Sequence, residues 1–125
     1  MAKNFSYDIF NEKLAEFFKD LSDSFPNVEE FRKLKTASTM LMNIEPKKPR
    51  NLFNTYVVSR YKDSLLKKDE SFFLTHNYEV HSDDHEHWDK FILEVKKLWK
   101  SLDNENKEII WTYFKVLIIL SDKCV

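Results

Sequence analysis

The sequence predicts an all-α domain, a compact bundle of about five helices, and three observations carry that prediction. Apolar residues recur at helical spacing in five successive segments. Strand signals are weak: Tyr56-Val57-Val58 and Tyr78-Glu79-Val80 could be extended, but no glycine turn pairs them. The 125 residues contain no glycine at all, against an ordinary usage of roughly 7%.

The first helix is expected from about Ser6 to Ser24. Phe10, Leu14, Phe17 and Leu21 fall on one face, and Phe18 widens it. Pro26 stops it, because the residue before a proline is pushed toward extended geometry. Asn27 is the expected cap of the second helix, with Glu29 and Glu30 favourable in its first turn. Val28, Phe31, Leu34, Ser38 and Leu41 form its inner stripe. Pro46 and Pro49 are expected to end it and to make a stiff basic connector, Pro46 to Arg50.

A third helix, about Asn51 to Lys67, carries Leu52, Phe53, Tyr56, Val57, Tyr61 and Leu65. Asp69 to Leu74 could add a short turn of helix, followed by a polar loop over 75–85. The fourth helix, about Asp84 to Ser101, is amphipathic, with Trp88, Phe91, Ile92, Val95, Leu98, Trp99 and Leu102 within one arc. Asp103 or Asn104 caps the fifth, about Glu105 to Ser121. The whole is read as one domain over 1–125, with flexible ends near 1–5 and 122–125. No internal repeat or heptad array stands out.

Glycine's absence bears on function. Phosphate cradles, dinucleotide turns and nucleophile elbows need glycine where backbone turns sharply or meets a ligand closely. None can exist here in standard form. No nucleophile–base set emerges either, so no catalytic residue is assigned and an enzyme is not expected. The lone Cys124 cannot form an internal disulfide, which favours a reducing compartment. The longest apolar stretch, Ile109 to Leu120, is shorter than the roughly twenty residues that span a bilayer, so no membrane association is expected.

The net charge of −1 hides segregation. Residues 1–31 carry −4, residues 32–68 carry +8 and residues 69–125 carry −5. Two readings stay open. The basic middle is a surface for nucleic acid or an acidic partner, or it complements the acidic helices of its own chain. Lys47, Lys48, Arg50, Lys62, Lys67 and Lys68 are the candidate phosphate or partner contacts, with Tyr56 or Tyr61 for stacking. Arg60 falls inside the apolar arc of the third helix, so it either pairs with an internal acid or reaches a partner.

His81, Asp83, Asp84, His85, Glu86 and His87 crowd one polar segment. The spacing lacks a recognised metal motif, so no metal and no cofactor is assigned. The fifth helix is apolar nearly all round. It is either enclosed by the other four or leaves one side exposed for a protein partner or a second copy. Trp111, Phe114 and Ile118 are the candidate contacts on that helix.

Several local patterns occur together: Phe17-Phe18-Lys19-Asp20-Leu21 with Phe25-Pro26, Lys47-Lys48-Pro49, and Asp69-Glu70-Ser71-Phe72-Phe73-Leu74. Leu98-Trp99, Lys107, Ile110-Trp111 and Tyr113 complete the set. From about Phe10 to Leu120 this resembles small uncharacterised helical proteins encoded by large nucleocytoplasmic DNA viruses of algae and protists. The resemblance implies no activity. It implies a virion component or an adaptor. The lone cysteine and the lack of an apolar signal core at Met1 to Phe5 predict a cytoplasmic or nuclear setting in a host cell. The expected function is a non-enzymatic helical interaction or structural protein. Nucleic-acid binding through 47–68 is the alternative.

Overall fold

Tyr7, Phe10, Leu14, Phe17, Phe18 and Leu21 are all buried on one side of the first helix, α1, Phe5–Ser24, in the computed structural model. The structure describes residues 5–71 and 86–124, and every regular element among them is helical. Phe25 closes α1 with an N–H bond to the Leu21 carbonyl at 2.9 Å, and Pro26 prevents a further turn.

Helix α2, Glu29–Ile44, buries Phe31 and Leu34. Its N-cap is Val28, not Asn27, and no side chain caps it. The Val28 N–H bonds back to Phe25, so a tight turn over Phe25–Val28 places Asn27 one residue too early. Glu29 and Glu30 still complement the positive end of the helix.

The stiff connector expected over Pro46 to Arg50 is shorter. Pro49 and Arg50 already belong to α3, Lys48–Phe53. Proline suits the first turn of a helix because its missing N–H has no partner there anyway. A π-helical turn, Asn54–Val58, joins α3 to α4, Ser59–Leu66, so the expected third helix is a rod that begins three residues early and widens at its middle. Asn11 Nδ2 donates to the Pro46 carbonyl at 2.9 Å and pins this corner to α1.

The end of α4 shows how a chain without glycine closes a helix. Lys68 takes the left-handed conformation, with φ of 54°. Its N–H bonds to the Leu65 carbonyl at 3.3 Å, and the Asp69 N–H reaches the Ser64 carbonyl at 2.9 Å. That pair of bonds is the Schellman closure, in which glycine usually occupies the Lys68 position. Residues 72–85, with the expected polar loop and the His81, Asp83, Asp84 and His85 cluster, lie outside the described residues.

The fourth rod, α5, Glu86–Trp99, buries Trp88, Phe91, Ile92, Val95 and Trp99. Asp103, one of the two caps the sequence offers, then starts α6, Asn104–Lys123, by accepting the Asn106 N–H at 2.8 Å. At its far end α6 is helical through Lys123, and Cys124 is buried.

These helices share one core. Phe17 of α1, Phe91 of α5 and Phe114 of α6 meet edge-on or tilted, with ring centroids 5.4–6.2 Å apart. Aromatic pairs of this geometry add to what area burial contributes. Trp99 and Trp111 meet at 5.0 Å beside them. Glu70 accepts from Trp99 Nε1 at 2.9 Å and from Lys107 Nζ at 3.0 Å, fastening the corner between α5 and α6. Helix α6 lies between α1 and α4, which leaves its remaining side facing outward.

Candidate interaction surface

The basic segment turns three of its cations onto the last helix. Lys62 Nζ lies 3.3 Å from Asp122, and Lys68 Nζ lies 2.7 Å from Glu108. Arg50 Nε and Nη2 both donate to the Ser121 carbonyl, at 3.1 and 3.0 Å, and Nη2 also reaches the Cys124 carbonyl at 3.4 Å. The guanidinium therefore caps the C-terminus of α6, where the dipole is negative, and it shares the Ser121 carbonyl with the Cys124 N–H at 3.2 Å. Internal complementarity accounts for this part of the segregated charge. Exposed ion pairs contribute little individually, so the Arg50 cap is the strongest of these ties.

The other candidate cations are distributed differently. Lys47 Nζ sits 5.5 Å above the Tyr7 ring, and Lys48 and Lys67 are exposed. Arg60 is half-buried on α4 and its side chain is not free.

Trp111, Phe114 and Ile118 are corrected from candidate partner contacts to core residues. Their exposures are 3%, 0% and 1%. They occupy the side of α6 that packs between its neighbours, so a partner of the folded chain cannot reach them. Ile110, Leu117 and Ser121 complete the same buried face.

The opposite face has a different character. Glu105, Ile109, Thr112, Val116, Ile119 and Lys123 succeed one another at alternating steps of four and three residues. This is the a/d spacing of a coiled-coil seam, and on a helical wheel it runs opposite Phe114. Ile109 and Ile119 are 45% and 43% exposed, Thr112 is exposed and Val116 is half-buried. A β-branched apolar seam with a charge at each end thus lies along a helix whose other face is core.

Both flanks of the seam are built. A groove of 570 Å³ crosses the seam, from Lys13, Glu16 and Tyr113 on its α1 side, over Glu105, Ile109, Thr112 and Val116, to Glu108. A narrower hollow of 160 Å³ continues past Asp20, Asp23 and Phe25. Tyr113 forms the wall between the helices. Its ring stacks on Phe17 at 4.5 Å, its hydroxyl donates to Asp20, and Glu16 lies 3.2 Å away. Burial, then the hydrogen bond to Asp20 and the charges of Asp20 and Glu16, push the phenol well above its ordinary range. The stack on Phe17 and the bond to Asp20 hold the Tyr113 ring in place. On the other flank lie Glu108 and Asp122, with Lys68 and Lys62 paired to them.

An exposed side of this helix is one of the two arrangements the sequence allows, but the residues it names there, Trp111, Phe114 and Ile118, lie on the buried side. The seam's spacing was legible, but the inner face of α6 is equally apolar, so the helix reads as apolar all round and no single stripe stands out.

Cys124 offers no activated thiol. Burial pushes it above its ordinary range, against the pull of Arg50, and Sγ lies 3.3 Å from the Leu120 carbonyl. No described helix is long and apolar enough to cross a membrane. No group of three or more metal-binding side chains occurs among the described residues. Comparison with known proteins gives no match: no family model, no curated protein and no solved structure matches this chain.

Proposed function

We propose that this protein is a non-enzymatic helical interaction module whose working surface is the outer face of α6. The observation that supports this is the apolar seam Ile109–Thr112–Val116–Ile119, exposed on a helix whose other face is already satisfied by the core. Apolar side chains aligned at coiled-coil spacing gain most when a second helix covers them. The groove across the seam and the fixed Tyr113 wall give that surface a defined shape.

The protein acts in this reading as an adaptor or structural component, with the virion as the setting that the sequence resemblance suggests. Nucleic-acid binding is the weaker reading. Arg50, Lys62 and Lys68 are turned onto α6, which leaves Lys47, Lys48 and Lys67 as the exposed candidate cations outside those pairs.

An Ile109→Asp, Ile119→Asp double variant tests the interaction reading. Both positions are exposed, so the variant keeps its helical circular dichroism. Association of the protein with other chains in native extracts, or with itself, is then lost. Association that survives both substitutions would refute the role of this face.

A further inference from the structure

The seam of α6 has an internal symmetry. Counted from the level of Phe114, Ile109 lies as far toward one end as Ile119 lies toward the other. The same holds for Thr112 with Val116, and for Glu105 with Lys123. All six lie on the outer face, and each except the half-buried Val116 is exposed.

From this we infer that the partner of the seam is a second copy of the same chain, paired antiparallel across a twofold axis at the level of Phe114. The inference rests on the reading of α6 as the interaction face and names what covers it. In this arrangement Ile109 packs against Ile119 of the second copy, and Thr112 lies level with the second copy's Val116. Glu105 meets the second copy's Lys123, and every contact occurs twice, as an isologous interface requires.

Charge chooses the direction. A parallel pair in the same register would set Glu105 against Glu105 and Lys123 against Lys123, two like-charge contacts at the ends of the seam. The antiparallel pair replaces them with two opposite-charge contacts. End charges of this kind set partner orientation more than they set affinity. Ile109 and Ile119 lie to opposite sides of the seam's midline by the geometry of a helix of 3.6 residues per turn. An antiparallel copy therefore interleaves them. Two heptads bury on the order of 1,000 Å² in total, the lower bound of a specific interface.

Sedimentation velocity over a wide concentration range is the first readout. Wild-type mass rises toward twice the monomer, Glu105→Lys shifts the rise to several-fold higher concentration, and Glu105→Lys with Lys123→Glu restores it. Circular dichroism of each variant checks that the monomer is intact. The second readout is disulfide trapping in a Cys124→Ala background under oxidising glutathione. Thr112→Cys protein mixed with Val116→Cys protein forms the mixed disulfide several-fold faster than either forms its own.

A wild-type protein that stays monomeric throughout overturns the inference, as does a charge swap that restores nothing. Faster self-disulfides than mixed ones would also overturn it, because they indicate parallel pairing. The two readings part cleanly. If self-association is absent while Ile109→Asp, Ile119→Asp still removes another chain captured from extract, the second-copy inference falls and the interaction face stands. If neither effect is seen, both fall.

Discussion

Arg50 and Ser121, 71 residues apart in sequence, are joined by two hydrogen bonds from one guanidinium to one carbonyl, at 3.1 and 3.0 Å. The contact ties the first turn of α3 to the last turn of α6. The same guanidinium reaches the Cys124 carbonyl at 3.4 Å, just past the helix end.

Arg50→Ala is expected to cost about 2 kcal/mol, since it removes charged donors from the negative end of α6 and leaves the Ser121 carbonyl with only its 3.2 Å bond from the Cys124 N–H. Arg50→Lys recovers only part of that, because an ammonium cannot present the planar fork. Urea unfolding measures both, and faster amide exchange in the last turn of α6 should accompany the loss.

Lys68 holds a left-handed conformation that costs a residue with a Cβ roughly 1–2 kcal/mol. Lys68→Gly removes that cost and gives up only an exposed ion pair with Glu108, worth about 1 kcal/mol or less. A net gain of about 0.5–1 kcal/mol is expected in denaturant unfolding. A loss of stability would mean that the ion pair outweighs the backbone term.

Tyr113 carries a phenol whose affinity for its proton is raised in the folded state, first by burial and then by its bond to Asp20. The folded state therefore holds the proton more tightly than the unfolded chain, whose phenol titrates near the ordinary value of 10.0. The stabilisation is complete below that pH and is lost as pH rises above it. Wild type should lose stability more steeply than Tyr113→Phe from about pH 10 upward, and the two curves should run parallel at neutral pH.

The two faces of α6 should respond oppositely to truncation. Phe114→Ala is expected to cost about 3–5 kcal/mol, the penalty of emptying a core aromatic site. Ile109→Ala should cost under about 1 kcal/mol in the monomer, because the residue is nearly half exposed, yet weaken association. Thermal unfolding at low concentration separates the first effect from the second.

Much of the fold was legible because helical period and stop signals agreed. The Phe10–Leu14–Phe17–Leu21 stripe and the Pro26 stop appear where the sequence places them, and Asp103 is the cap used of the two it offers. The misreadings have local causes. Asn27 is a better capping residue than Val28, but the turn after Phe25 decides which residue sits at the helix start. Pro49 reads equally as a breaker or as a first-turn residue, and only tertiary packing, which buries it, selects the second. Trp111, Phe114 and Ile118 have hot-spot chemistry, but identity alone does not say whether an aromatic faces a partner or its own core. The ties from Arg50, Lys62 and Lys68 to α6 span 40 to 74 residues, and charge totals reveal that complementarity exists without revealing which pairs form.

The claim that function sits on the outer face of α6 is tested most directly by methyl NMR along a dilution series. The account predicts that the methyl signals of Ile109, Val116 and Ile119 move with concentration, while those of Ile110, Leu117 and Ile118, on the buried face, stay in place. Concentration-dependent shifts confined to any other helix, or none at any concentration together with none on adding native extract, would contradict it.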